Sequence, residues 1–176
     1  MAAVDSYGKS FVIPREGEEL PVDGARVLCL NPESGTLGET LHDHSVTLKV
    51  EQKGGGRSWL VTGDANQYAE DRMVANYPAA LGADEAQVGH HGSTTRTAQA
   101  FRDAIAPDVA VISTAAGNSF GHPENAVLDN LAAAGVETYY TDAHGDVTTE
   151  TWPKELVRDS KQTASTDPTT YKTTTN

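Results

Sequence analysis

The chain has 176 residues, enough for one domain with a sizeable hydrophobic core. Its 25 acidic residues outnumber 13 basic ones, and the formal net charge of -12 argues against tight non-specific binding to a nucleic-acid backbone. A nucleic-acid substrate stays open, because bound metal ions can reverse the sign of the potential inside a cleft. Cys29 is the only cysteine, which excludes an internal disulfide and a cysteine-based zinc cluster.

The sequence shows neither a membrane segment nor a secretion signal. No stretch approaches the roughly 20 apolar residues that a membrane helix needs. Residues 1–11 contain no apolar run long enough for a signal peptide. We therefore expect a soluble chain, with the cytoplasm as its default compartment.

The predicted elements begin as a run of strands and continue as an alternation of helices and strands. Apolar or alternating runs predict strands at residues 11–13, 26–30, 45–51, 58–62, 87–88, 109–113, 136–140 and 147–151. Amphipathic runs with proline or glycine near their ends predict helices at residues 67–77, 97–105 and 124–134. This order predicts an α/β fold with a mixed sheet. Three parts are expected: an N-terminal segment, a folded part and a disordered threonine-rich tail, at residues 1–25, 26–151 and 152–176.

Candidate functional residues follow apolar strands in loops that carry glycine. They are Asp64, His90, His91 and His122. Ligands at the ends of strands in one sheet share an edge of the fold, so we expect these side chains to lie together. Imidazole nitrogen with carboxylate oxygen suits zinc, manganese or iron. Structural alternatives stay open: a Gly-Asp pair is commonly only a turn, His122 could cap the next helix, and His144 is expected in a turn.

Five segments carry, in chain order, a resemblance to one family: Ser45-Val46-Thr47-Leu48, Leu60-Val61-Thr62-Gly63-Asp64, Val88-Gly89-His90-His91-Gly92-Ser93, Gly121-His122-Pro123 and Thr141-Asp142-Ala143-His144-Gly145. They resemble the C-terminal portion of ComEC-type metallo-β-lactamase-like domains, which occur on DNA-uptake competence proteins and on free-standing relatives. The resemblance covers roughly residues 27–151. Its Thr-Gly-Asp and Gly-His-His-Gly-Ser elements are specific in order and spacing.

The resemblance implies a fold, a reaction and a set of site residues. The fold would be half of an αββα sandwich, a mixed sheet with helices on one face. The reaction would be metal-dependent hydrolysis of phosphodiester bonds, with nucleic acid as a candidate substrate. Asp64 would bridge two metal ions, expected to be zinc with manganese as the alternative. His90 and His91 would supply a metal ligand and a neighbouring contact, and His122 would line the same cleft. Two ions would acidify a water and clamp phosphoryl oxygens.

The sequence also departs from the family. The family's metal motif His-x-His-x-Asp-His belongs to an N-terminal half, and residues 1–26 are too few to contain it. His42 and His44 imitate its beginning, but Ser45, Val46 and Thr47 follow instead of the required Asp-His. We therefore interpret both histidines as loop residues that lead into a strand.

Two alternatives follow from the missing half. The chain could be a non-catalytic remnant or partner-binding half, whose sheet needs a partner chain, self-association or the segment at residues 1–21 to cover it. The face expected to need cover includes Val46, Leu48, Leu60 and Val111. A serine hydrolase built on Ser93 is disfavoured, because Gly-x-Ser-x-Gly is absent.

Overall fold

The computed structural model describes residues 13–33, 40–94, 99–152 and 155–161. The described strands are β1 (Glu19–Leu20), β2 (Ala25–Asn31), β3 (Thr47–Gln52), β4 (Ser58–Val61), β5 (Glu85–Gln87), β6 (Val109–Ile112), β7 (Glu137–Tyr140), β8 (Asp146–Trp152) and β9 (Glu155–Lys161). The described helices are α1 (Gln67–Asn76), α2 (Pro78–Leu81), α3 (Gln99–Ile105), α4 (Asn125–Ala133) and α5 (Thr141–His144). A short 3-10 turn spans Leu41–His44, and a tight turn with left-handed residues spans Gly89–Gly92.

Strands β1 to β7 form one mixed sheet whose spatial order follows the chain. The pairs from β1 to β4 are antiparallel, and those from β4 to β7 are parallel. Strands β8 and β9 form a separate antiparallel pair. The α/β class and the mixed sheet predicted from the sequence are therefore confirmed. Because β4 to β7 run in parallel, the loops that follow them all leave the same edge of the sheet.

One face of the sheet carries the hydrophobic core. Along the register, Leu28 lies opposite Lys49, Lys49 opposite Leu60, and Leu60 beside Ala86. Residues of this face pack against the helices in two buried clusters, with Ala69, Met73, Leu81 and Phe101 in the first and Val127 and Leu131 in the second. Burying a side chain of leucine or phenylalanine size stabilises the fold by about 1.5–3 kcal/mol. The helices on this face thus hold the sheet that positions the site.

A buried lysine interrupts this apolar face. Lys49 points to the helix side, and its ammonium group donates a hydrogen bond to the carbonyl oxygen of Gly82. Burial lowers the pKa of Lys49 below its ordinary value, because desolvation disfavours the charged form. The alternation Val46, Leu48, Val50 leaves Lys49 on the covered face, so the hydrophobic pattern of this strand points away from the core.

The opposite face is covered in part. Leu48 lies opposite Val61 there, and Val46 and Val61 are 41 % and 42 % exposed. The Trp59 indole on the same face donates to the hydroxyl of Thr149 at 3.4 Å, so β8 covers the part near Trp59. Placing Leu60 on this face was wrong: it is fully buried under the helices, because it is one residue out of phase with Val61.

Other differences from the sequence lie at the chain's two ends. Residues 11–12 of the first predicted strand lie outside the described residues, and Ile13 is not in a strand. The two-residue strand β1 was not predicted, and it extends the edge of the sheet rather than covering a face. Strand β9 lies within the tail that the sequence predicts to be disordered, and it pairs with β8 over seven residues. Among the described residues, no helix combines the length and the apolar character needed to cross a membrane.

Candidate metal centre

Asp64 stands in a tight turn directly after β4. Gly63 has a left-handed φ of 55°, and a Cβ there would lie 2.9 Å from the Ser45 hydroxyl oxygen. That hydroxyl accepts a hydrogen bond of 2.7 Å from the backbone N–H of Asp64. The Gln87 side chain accepts another, of 3.1 Å, from the N–H of Gly63. Both backbone groups are therefore fixed, and the Asp64 carboxylate projects from a rigid turn.

The turn of His90 and His91 follows β5 and touches the turn of Asp64. Both histidines adopt left-handed backbone conformations, with φ of 48° and 57°, and Gly92 follows with φ of 81°. Such a conformation costs a non-glycine residue on the order of 1 kcal/mol and clusters at functional sites. The N–H of His90 donates to the carbonyl of Gly63 at 3.2 Å. The strained backbone therefore lies where the turn of His90 and His91 contacts the turn of Asp64.

Asp64 and His91 face one another. His91 Nε2 lies 3.8 Å from Asp64 Oδ1, so the proximity expected from the sequence is observed. His91 Nδ1 lies 2.7 Å from the carbonyl oxygen of Ser113, which can only accept. Nδ1 therefore carries a proton, and in the neutral ring the lone pair is on Nε2, the nitrogen nearer the carboxylate. Metal-binding histidines are commonly oriented by such a hydrogen bond on the other nitrogen. Two donors 3.8 Å apart can both reach one ion through bonds of about 2.0–2.2 Å.

His90 is the centre of a group of imidazole rings. Its ring centroid lies 4.9 Å from that of His42, 6.0 Å from that of His122 and 6.3 Å from that of His91. His42 therefore belongs to the same edge, and treating it only as a loop residue was wrong. Among the described residues, His44 contributes no ring to this group.

Buried hydrogen bonds place His42. Its neighbour Asp43 is buried, and the Asp43 carboxylate accepts from the N–H of Thr40 at 2.7 Å and from the side-chain amide of Asn66. The Asn31 side chain donates to the carbonyl of Asp43 at 2.9 Å and to that of Ser45 at 2.6 Å. Asn66 also begins α1 by accepting from the N–H of Ala69. The Leu41–His44 turn is thus tied to β2 and to α1 by contacts that no local pattern reveals.

His122 lies at the same edge, and Glu124 joins its loop to the His90–His91 turn. The Glu124 carboxylate accepts from the backbone N–H and the hydroxyl of Thr94, at 2.8 and 2.9 Å. These two hydrogen bonds lower the pKa of Glu124 below its ordinary value. Its own N–H donates to the carbonyl of Gly92 at 3.0 Å. His122 Nδ1 is buried, 3.9 Å from Glu124 Oε1, with no hydrogen bond among the described residues.

Glu124 was not among the site residues predicted from the sequence. Its position after Gly-His-Pro, at the start of a predicted helix, could have identified it. Glu124, not His122, is the N-cap residue of α4, so His122 does not cap that helix. His144 lies apart, against the rings of Tyr139 and Tyr140, in the short helix α5 between two strands. Ser93 is buried and donates to Glu124 at 3.4 Å, an unfavourable position for a nucleophile.

The metal site is incomplete in the part of the chain that the structure describes. There, no three His, Cys, Asp or Glu side chains converge in an arrangement that could hold a metal ion. Asp64 and His91 fit as two donors, and the other rings lie near them without converging. A catalytic zinc usually has three protein ligands and a water.

Comparison with known proteins gives the family context. No family model matches the chain. It is 32 % identical over 61 % of its length to competence protein ComA of Neisseria gonorrhoeae, and 29 % identical over 84 % to ComE operon protein 3 of Bacillus subtilis. It is 36 % identical over 72 % to recombination protein 2 of Haemophilus influenzae. The aligned regions cover 16 %, 18 % and 15 % of these three proteins, so the chain spans less than a fifth of each.

A solved structure supports the fold. CmlA, a diiron beta-hydroxylase from Streptomyces venezuelae with a metallo-β-lactamase fold, matches 72 % of this chain and 32 % of its own with a TM-score of 0.50. The sequence identity is 15 %, so the likeness concerns the fold alone. The chain is thus a homologue of part of the ComEC-type competence proteins and shares the mixed α/β fold of metallo-β-lactamase-type enzymes.

Proposed function

We propose that the chain is the C-terminal half of a metal-dependent hydrolase of the metallo-β-lactamase superfamily, acting on phosphodiester bonds. The observation that carries the proposal is the pair formed by Asp64 and His91, with donor atoms 3.8 Å apart. His91 is oriented by the carbonyl of Ser113, so its Nε2 is available as a ligand. The homology to competence proteins supports a nucleic-acid substrate.

Each residue of the edge has a role in this proposal. Asp64 and His91 hold the metal, zinc or manganese, and His90 adds a second imidazole beside them. When bound, divalent ions supply Lewis acidity that stabilises the charge on phosphoryl oxygens. His122 contacts the bound or departing phosphate. Glu124 keeps the loops of His122 and His91 at a fixed separation through Thr94 and Gly92.

The remaining donors come from polypeptide outside this chain in our proposal. Two donors leave most of the coordination sphere to water, so the chain alone binds metal weakly. Expected partners are a second chain or a second copy. The exposed Val46 and Val61 on the incompletely covered face favour a second candidate function, a partner-binding half that does no chemistry itself.

Hydrolysis of bis(4-nitrophenyl) phosphate by the whole chain tests the proposal, with zinc or manganese at concentrations high enough to fill its weak site. Asp64→Asn should lower zinc- or manganese-dependent turnover by about 100-fold or more, beyond the 10–100-fold typical of an outer-shell partner. Asp71→Asn, which changes an exposed carboxylate of α1, is the matched control and should leave turnover unchanged.

The outcomes separate the two candidate functions. Hydrolysis that persists in a chelator, or that is equal in Asp64→Asn and wild type, contradicts the metal-dependent hydrolase. Weak metal binding that is lost in Asp64→Asn, without hydrolysis at any metal concentration, favours the partner-binding half. Titration calorimetry on the same two variants supplies this binding measurement.

A further inference from the structure

An exposed aromatic ring lies beside the candidate metal centre. Phe120 is a large aromatic side chain that is 80 % exposed to solvent. Its ring is parallel to that of His122, with centroids 6.1 Å apart and planes 12° apart. His122 in turn lies 6.0 Å from His90. Phe120 therefore occupies the solvent end of a line of rings that leads to the site.

The loop that carries Phe120 is held in place. The Asn118 side-chain oxygen accepts from the N–H of Phe120 and from that of His122, both at 3.1 Å. The Asn118 amide donates to the carbonyl of His122 at 2.5 Å, and the Thr114 hydroxyl donates to the same carbonyl at 3.0 Å. The ring is thus presented to solvent from a fixed backbone, so the loop needs little ordering when a ligand binds.

We infer that Phe120 and His122 form a stacking platform for a nucleobase of the substrate. The inference rests on the proposed function, because it takes the phosphodiester at the candidate metal centre to belong to a single-stranded nucleic acid. Aromatic side chains bind single strands by stacking on successive bases, which tolerates any sequence. Because the net charge of -12 makes general attraction of the phosphate backbone weak, affinity for a single strand would depend on contacts with its bases.

An apolar protein partner is the competing occupant, and chemistry separates the two. A nucleobase needs the π-face of an aromatic ring, whereas an apolar partner needs only hydrophobic area. Phe120→Leu keeps most of the area and removes the ring. Phe120→Trp keeps a ring and enlarges the stacking surface. Tyr68, the exposed aromatic of α1, provides a control variant in Tyr68→Ala.

The experiment measures binding of a 5′-fluorescein-labelled single-stranded octadeoxythymidylate to the whole chain by fluorescence anisotropy. An octamer of abasic residues with the same label is the comparison probe. We expect Phe120→Ala and Phe120→Leu to weaken binding of the thymidylate about 10- to 100-fold, the range for losing one stacked base. Phe120→Trp should bind the thymidylate as tightly as the wild type does, and Tyr68→Ala should leave the affinity unchanged. The abasic octamer should bind weakly to every variant.

Three results would overturn the inference. The first is wild-type affinity in Phe120→Leu, which would point to apolar contact alone. The second is equal binding of the abasic and thymidylate octamers. The third is no measurable binding of the thymidylate to the wild-type chain. Binding requires no turnover, so a chain that binds through Phe120 but hydrolyses nothing contradicts only the proposed function. Hydrolysis that depends on Asp64, with binding indifferent to Phe120, contradicts only this inference.

Discussion

The two histidine-bearing turns meet at one edge of the sheet, but different forces hold them. The Leu41–His44 turn is held by side chains distant in sequence, through the buried carboxylate of Asp43. The Gly89–Gly92 turn has a left-handed backbone that requires a glycine at its end, where Gly92 packs closely on Pro123. A turn with a left-handed backbone needs glycine at a fixed position, so it can be recognised as a motif in the sequence. A turn held by side chains distant in sequence shows no local pattern, so its histidine can be recognised only in the folded structure.

Gly92→Ala should have the largest effect, because it strains the backbone of the Gly89–Gly92 turn. A Cβ at Gly92 would lie 2.8 Å from the Cβ of Pro123, at a φ of 81° that disfavours L side chains. We expect a loss of about 2–5 kcal/mol from the free energy of unfolding, as backbone strain and overpacking add. Urea denaturation measures this loss.

Gly121→Ala is the matched control for this substitution. Its φ is 73°, but apart from its chain neighbours no heavy atom of the described residues lies within 4 Å of the point that a Cβ would occupy, so only the backbone strain of about 1–2 kcal/mol applies. Equal losses in the two variants would show that contact with Pro123 does not hold the second turn.

Asp43→Ala tests the first turn and should have the next largest effect. Removing the carboxylate leaves the N–H of Thr40 and the amide of Asn66 without their acceptor. Asn66 is buried, and leaving its donor unsatisfied costs about 1–3 kcal/mol. The ring resonances of His42 and His90 should shift in NMR spectra of the folded variant, because the turn between Thr40 and Ser45 loosens. An unchanged stability and unchanged histidine resonances would mean that Asp43 does not hold the turn.

The sequence predicted the parts that depend on local pattern. The mixed sheet, the helices at α1, α3 and α4, and the approach of His91 to Asp64 follow from apolar runs and from loops after parallel strands. The position of His42 could not be predicted, because it depends on hydrogen bonds from Asn31 and Asn66 across the fold. Leu60 was assigned to the wrong face because a buried lysine, Lys49, occupies the core side of the neighbouring strand.

His42→Ala tests whether the Leu41–His44 turn contributes to metal binding at the neighbouring Gly89–Gly92 turn. Its ring lies 4.9 Å from that of His90, so it restrains His90 beside the candidate metal centre. We expect zinc affinity to fall about tenfold, as for removal of a group that orients a ligand. Titration calorimetry measures the affinity. His44→Ala, in the same turn, is the matched control and should bind zinc as the wild type does. A larger loss in His44→Ala than in His42→Ala would reverse the assignment of these two histidines.

Glu124→Gln should have the smallest effect, and it appears as a change in pH dependence. Hydrogen bonds from the backbone N–H and hydroxyl of Thr94 lower the pKa of Glu124 in the folded chain. A carboxyl group with a lowered folded pKa stabilises the fold above its unfolded pKa of about 4.3, and this contribution disappears as the pH falls through the folded value. Wild type should therefore be more stable than Glu124→Gln at neutral pH, and the two unfolding curves should converge on acidification below about pH 4.

Asp129→Asn changes an exposed carboxylate of α4 and should keep the wild-type pH profile. A stability difference between wild type and Glu124→Gln that stays constant down to about pH 2 would show that the Glu124 carboxylate does not clamp the second turn through Thr94.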